Sequence, residues 1–426
     1  MIYQPANCIH AGCCLALGRI YLRCDLLSLS DVVSCAVCAG ALTLMSLVMN
    51  FICSTIVVVC SVVIATPAQQ ESAAMTVGLR REVEDLNALL VPIRERHKMP
   101  ALGAAVIVKG KLVALGVDGI RKVGDEATVT TQDLWHLGSC TKAMTATLIA
   151  QQVAEGKLQW TSSLGEVLPD LRDGMHESAR KITVAQLLQH RSGLPAQPPA
   201  AQWVSLFSFD GSNLEARREV AQTMLKSQPE VPPGERFQYS NAGYMIAGAA
   251  LERATGKTWQ QLMQARLFDV LGMSSAGFGA PGHGQKVEQP WGHITVDMID
   301  KPMFADNPPS LGPAGTVHAS LEDWARFIEL HLGVVPEVGK PVCSESSLAT
   351  LHQPPEGGDY ALGWVVTKRD WADGPILWHN GSNTLWYAVT WMAPDMGFAV
   401  LVTCNHGGGS KACDEVAGAC IKRFSK

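Results

Sequence analysis

Between residues 79 and 97, Val83, Leu86, Leu89, Leu90 and Ile93 recur at near-helical spacing, which predicts an amphipathic helix over Leu79–His97. Two β-rich runs follow, Leu102–Val108 and Leu112–Val117, and Lys109-Gly110-Lys111 joins them as an antiparallel hairpin. A second pair near the far end, Leu385–Met392 and Phe398–Thr403, flanks Ala393-Pro394-Asp395-Met396-Gly397, whose Pro, Asp and Gly supply turn geometry. Between the hairpins the pattern is mainly helical, over Thr183–His190, Glu215–Lys226, Ala242–Thr255, Trp259–Leu271 and Leu321–Leu332. Loops at Gly193-Leu194-Pro195 and Pro232-Pro233-Gly234 punctuate it, and Asp414–Arg423 reads as a closing helix. The expected fold class is mixed α/β, with a helical lobe inserted into a sheet built from both chain ends.

The first 75 residues are a different material. Val32 to Gln70 carries no charge, a run longer than the roughly 20 apolar residues that span a bilayer. Arg19 and Arg23 precede it, and small-residue sites follow at Val63-Ile64-Ala65 and Thr66-Pro67-Ala68. That is the pattern of a secretory signal or an anchor, so the expected location is exported (periplasmic or extracellular) or membrane-anchored. A start at Met45 or Met49 would leave a signal of ordinary length. The chain divides into a signal or anchor segment with a linker at 1–75 and a globular domain at 76–426.

With 34 basic and 39 acidic side chains the net charge is −5, which argues against a nucleic-acid partner. Eight of the 13 cysteines lie within residues 1–60, without the paired CxxC spacing of a zinc site. The other five, Cys140, Cys343, Cys404, Cys413 and Cys420, are too sparse for a disulfide scaffold and leave the redox compartment open.

The sharpest chemical signal is Trp135-His136-Leu137-Gly138-Ser139-Cys140-Thr141-Lys142, leading into an uncharged helix. Ser139 and Lys142 form an S-x-x-K pair, whose spacing sets both side chains on one helical face, close enough for the amine to take the hydroxyl proton; the alternative is a helix N-cap serine with a lysine that snorkels to solvent. A lysine isolated on an apolar helix is buried, and burial disfavours the ammonium form. Ser178-x-x-Lys181 matches the same letters but sits in a polar run, where its lysine is solvated. Tyr239-Ser240-Asn241 offers a proton-transfer phenol and an amide that can bond a substrate, although, taken alone, a capping Ser-Asn pair beside a core tyrosine is the better explanation. His379-Asn380-Gly381 precedes Ser382 and the run at Leu385, so Gly381 can admit a ligand to the backbone and the next amide can donate to an oxyanion, although an ordinary strand-edge histidine is the better reading of these residues alone. Gly256-Lys257-Thr258 lacks the first glycine of a phosphate-binding loop, with Leu251 in its place, and reads instead as a helix cap at Gly256. Gly277 to Gly282 has dinucleotide-fingerprint letters without a preceding strand. Nothing calls for a metal or a cofactor.

Taken in order, Ser139-x-x-Lys142, Tyr239-x-Asn241 and His379-x-Gly381 resemble the serine β-lactamase and penicillin-binding-protein superfamily, nearest to class C β-lactamases and their esterase and D-aminopeptidase relatives. Leu187-Leu188-Gln189-His190-Arg191-Ser192-Gly193-Leu194, Leu267 to Met273 and Ala314-Gly315-Thr316-Val317 add to the likeness, which covers nearly all of residues 76–426. The resemblance implies a β-lactamase/transpeptidase-like three-layer sandwich with its site between sheet and helical lobe. It implies that Ser139 is acylated, that Lys142 and Tyr239 exchange its proton, that Asn241 orients the acyl side chain, and that the N–H groups of Ser139 and Ser382 hold the oxyanion. Class C enzymes carry K-T-G where this chain has His379-Asn380-Gly381, so a lysine that attracts a substrate carboxylate is missing. A histidine is largely neutral at pH 7, which favours a small-molecule ester or peptide-like amide over a β-lactam. The alternatives are a D-alanyl carboxypeptidase or β-lactamase acting on cell-wall peptides or antibiotics, and a receptor-like member of the fold that does not turn over.

Overall fold

The computed structural model describes residues 83–334 and 342–426. The apolar run at 32–70 lies outside them; among the described residues no helix is long and apolar enough to cross a membrane.

Seven strands form one sheet: β1 (Glu84–Asp85), β2 (Ala101–Val108), β3 (Lys111–Gly119), β4 (Val365–Thr367), β5 (Ile376–Ser382), β6 (Tyr387–Ala393) and β7 (Phe398–Cys404), in the spatial order β1-β3-β2-β7-β6-β5-β4. β1 runs parallel to β3 and every other pair is antiparallel. β2 from the first hairpin pairs with β7 from the second, so the two chain ends share one sheet, as their patterns predict.

The main helices are α1 (Asn87–His97), α2 (Thr141–Ala154), α3 (Asn213–Lys226), α4 (Asn241–Thr255), α5 (Leu321–His331) and α6 (Ser410–Phe424). β2 has no polar position because the sheet is covered on both faces. Leu102, Ala104 and Val106 point into one cluster with Leu90 and Ile93 of α1 and Val416 and Cys420 of α6. Ala101, Ala105 and Ile107 point the other way, into the large core that holds Leu321, Trp324 and Ile328 of α5 and reaches through α2 into the lobe. The layers are helices, sheet, helices.

Several helix bounds follow from their caps. Ser212 starts α3 by accepting from the Glu215 N–H, and Ser240 starts α4 by accepting from the Gly243 N–H. Gly256 ends α4 in the left-handed region at φ +69°. Three expectations are corrected. The first helix begins at Asn87, because Glu84 and Asp85 pair with Ala114 and Leu115 and the Asp85 carboxylate accepts from the Asn87 N–H. The predicted helix Trp259–Leu271 keeps its span but is not uniformly α, turning π-helical at Gln264–Phe268. His379 to Ser382, read as a segment preceding a strand, form the end of β5 itself.

The lobe is tied by one buried ion pair. Arg217 of α3 is fully buried and its guanidinium grips the Glu252 carboxylate of α4, which also accepts from the Trp259 N–H at 2.8 Å. Arg217→Met leaves Glu252 charged and partly unpaired, and is expected to lower the unfolding free energy by about 3–5 kcal/mol. Urea unfolding checks this; a loss under about 1 kcal/mol would mean the pair is not desolvated as drawn.

Candidate active site

The turn that carries Ser139 begins on the sheet side and ends in the lobe. Trp135 and His136 pair with Ala319 and His318, then Gly138 at φ +50° opens a single 3₁₀ turn, Gly138–Cys140, that runs directly into α2. Ser139 is half-buried, while Lys142, one turn on, is fully buried. Lys142 Nζ lies 3.0 Å from Ser139 Oγ, 2.8 Å from Asn241 Oδ1 and 2.7 Å from the Ala314 carbonyl. Tyr239 OH lies 2.8 Å from the same Ser139 Oγ. The structure therefore brings together the four side chains that the sequence singles out from positions 139–142 and 239–241. Ser240 between them caps α4 and points away, donating to the Pro195 carbonyl at 2.6 Å, so the motif serves as both cap and site.

The protonation of this cluster follows from burial. Removal from water pushes the Lys142 ammonium well below its ordinary value, with only the neighbouring Cys140 opposing. In its neutral form, which burial favours, the amine can donate to Asn241 and Ala314 and turn its lone pair to the Ser139 hydroxyl. Burial raises the Tyr239 phenol, against the stabilising bond to Ser139, so it stays protonated at neutral pH. The arrangement can move a proton from Ser139 to Lys142 and hold a second donor at the same oxygen.

Two glycines set the next feature. A Cβ added at Gly381 would stand 2.0 Å from the Leu137 carbonyl oxygen and 2.5 Å from Ser139 N; one added at Gly138 would stand 2.4 Å from Ser382 N. The nucleophile turn and the end of β5 thus touch backbone to backbone. The two amides expected to bind an oxyanion, at Ser139 and Ser382, flank that seam. Gly381 has a different use from the one its position suggested: the close neighbour is the Ser139 turn itself.

His379 is 3% exposed and bonds entirely within the fold. Its Nδ1 lies 2.6 Å from the Asn380 carbonyl, an acceptor, so Nδ1 carries the proton and Nε2 accepts from Tyr360 OH at 2.9 Å. Burial pushes it down to about 3. Both ring nitrogens are thus taken up by partners within the fold. His190, in the left-handed region at φ +55°, accepts from the Ser240 N–H at 3.0 Å and sets its ring 4.2 Å from that of Tyr239, bracing the phenol from behind. Cys140 is buried with its thiol pushed upward by desolvation, and packs against the His379 carbonyl at 3.6 Å. Among the described residues no group of three or more His, Cys, Asp or Glu side chains is placed to hold a metal ion.

The beta-lactamase family model matches residues 82–417, most of the chain. The chain belongs to the beta-lactamase family. It is similar to penicillin-binding protein 4 of Amycolatopsis lactamdurans, 28% identical over 330 residues, covering 74% of this chain and 83% of that protein. It is also similar to an unguisins hydrolase of Aspergillus campestris, 25% identical over 341 residues, which cover 76% of this chain and 61% of the relative. A solved β-lactamase/D-alanine carboxypeptidase from Pseudomonas syringae shares the fold, with a TM-score of 0.66 and 20% identity over 80% of this chain and 99% of that one. This member of the beta-lactamase family is a serine hydrolase of the β-lactamase type.

Within this beta-lactamase-family site, Tyr360 and His190 carried no motif of their own. His190 lay within the family-like stretch Leu187 to Leu194, the one signal that could have drawn attention to it. Gly381→Ala forces a Cβ into the nucleophile turn and is expected to cut labelling of Ser139 by an active-site phosphonate about 100-fold or more, as loss of an oxyanion donor does. A Gly381→Ala protein labelled at the wild-type rate would contradict the seam.

Proposed function

We propose that this chain hydrolyses neutral esters or peptide-like amides through an acyl-enzyme on Ser139. One observation carries the reading: Ser139 Oγ stands within 3.0 Å of both a fully buried lysine amine and a protonated tyrosine. In this scheme the Lys142 amine takes the Ser139 proton as Oγ attacks the carbonyl carbon, and the oxyanion forms between the N–H groups of Ser139 and Ser382. Tyr239 then passes a proton to the leaving alcohol or amine, drawing on the one held by Lys142. Water attacks the acyl carbon by the same route in reverse and frees the serine, with Asn241 fixing Lys142 and the acyl chain.

Substrate charge follows from His379. A buried neutral histidine bonded to Tyr360 supplies no cation for a carboxylate, which supports uncharged acyl donors over penicillins. A second reading, hydrolysis of cell-wall peptides, has its own support. The pairing of β4 with β5 ends at Trp378, so 379–382 have no β4 partner and an extended peptide can lie along them. The names of the Amycolatopsis and Pseudomonas syringae relatives agree with it. The uncharged run at 32–70 supports action outside the cytoplasm or at a membrane.

Intact mass after exposure to an activated short-chain ester is expected to show a transient acyl adduct on the wild type and none on Ser139→Ala. Lys142→Ala is expected to slow that acylation at least about 100-fold with the fold retained, the general-base range. Acylation of Ser139→Ala, or unchanged rates in Lys142→Ala, would contradict the scheme. An adduct that forms and never clears would favour the receptor-like reading.

A further inference from the structure

The two oxyanion amides belong to segments far apart in the chain, and a second set of contacts joins them away from the glycine seam. The Gly138 N–H donates to His136 Nδ1 at 3.2 Å, so that nitrogen is an acceptor and the ring proton sits on Nε2. His136 Nε2 donates to Asp306 Oδ2 at 2.9 Å. The other carboxylate oxygen accepts from Asn383 Nδ2 at 2.8 Å and from the Asn307 N–H at 2.7 Å. Asn383 Oδ1 accepts from the N–H groups of Leu385 and Trp386, each at 3.1 Å, and the Trp386 ring stacks on His136 with centroids 5.7 Å apart. The His136 side chain is fully buried and that of Asp306 is 8% exposed.

The bridge ends beside the reacting atoms at both sides. His136 holds the amide of the residue before Ser139, and Asn383 directly follows Ser382. Just beyond, Thr384 takes φ +76°, a conformation a β-branched residue keeps only when its surroundings impose it. Its N–H donates to Ser382 Oγ at 2.9 Å, and that hydroxyl donates to the Trp386 carbonyl at 2.7 Å.

We propose that Asp306, through His136 and Asn383, is a positioning residue that sets the separation of the two oxyanion amides. The proposal rests on the acyl-transfer reading above. Asp306 accepts on both sides, and an amide cannot. In Asp306→Asn, an oxygen turned to Asn383 points the NH₂ at His136 Nε2, driving the ring proton to Nδ1 against the Gly138 N–H. Turned the other way, the NH₂ faces the donors of Asn383 and Asn307. Either orientation breaks a link.

The test is steady-state hydrolysis of p-nitrophenyl acetate by wild type, Asp306→Asn and Asn383→Ala, with ¹⁵N NMR of the His136 ring. Both variants are expected to lose about 10- to 100-fold in kcat with KM within about twofold, because the donors act on the transition state. Wild type is expected to show the Nε2–H tautomer, Asp306→Asn to move the proton to Nδ1, and Asn383→Ala to keep it on Nε2. Should Asp306→Asn fail to fold, Asn383→Ala and the wild-type tautomer decide. Unchanged kcat in Asn383→Ala, an effect on KM alone, or a wild-type proton on Nδ1 would overturn the bridge. A wild type that neither turns over nor retains an adduct contradicts the acyl-transfer reading instead, and the His136 tautomer then decides the bridge by itself.

Discussion

A single amine, Lys142 Nζ, joins the start of α2, the start of α4 and the one-turn helix Gly312–Gly315, by bonds to Ser139, Asn241 and the Ala314 carbonyl. Holding a charge there without water would be costly, and the fold meets that cost by favouring the neutral form. Much of the architecture serves this arrangement. The sheet, covered on both faces, supplies the end of β5 beyond its pairing with β4; the lobe brings Tyr239 and Asn241 across to it; the Arg217–Glu252 pair keeps the helix that begins with Asn241 in place.

The opposite wall is set by sterics. Gly138 and Gly381 let the nucleophile turn and β5 meet at backbone distance, which places the Ser139 and Ser382 amides beside one seam. His379 lies two residues before Gly381, yet it turns its nitrogens inward to Asn380 and Tyr360. The result is a site rich in donors and poor in exposed positive charge, matched to a carbonyl that gains negative charge during reaction and not to a substrate that arrives with it.

The elements that periodicity marks strongly were legible: both hairpins, α3, α4 and α5 lie within a few residues of their predicted spans. So were Ser139 and Lys142, because a lone lysine among apolar helical positions must meet its hydrogen-bond partners inside the fold. Tyr239 and Asn241 needed the family likeness, since a capping Ser240 accounts for the same letters. β5 escaped because His379-Asn380-Gly381-Ser382 has neither alternation nor β-branched residues, and only contact with the Ser139 turn explains its glycine. His136, Asp306 and Asn383 come from three separate segments and meet only in the folded chain. The role of His379 was half legible: its neutrality followed from its residue type, its inward bonds did not.

Acyl transfer by this route requires Lys142 to be an amine at the working pH. A lysine whose folded value is depressed binds its proton only below that value, so the base is absent at low pH and present above it. Across the window from the folded value to about 10.4 the unfolded chain binds the extra proton, so the stability penalty of burying Lys142 shrinks as pH rises. The direct measurement is an NMR titration of the ¹³Cε signal of Lys142, assigned by its loss in Lys142→Ala. The account predicts a midpoint well below that of the exposed lysines, with the amine present at pH 7. A Lys142 that titrates with the surface lysines would contradict it, and with it the assignment of the base.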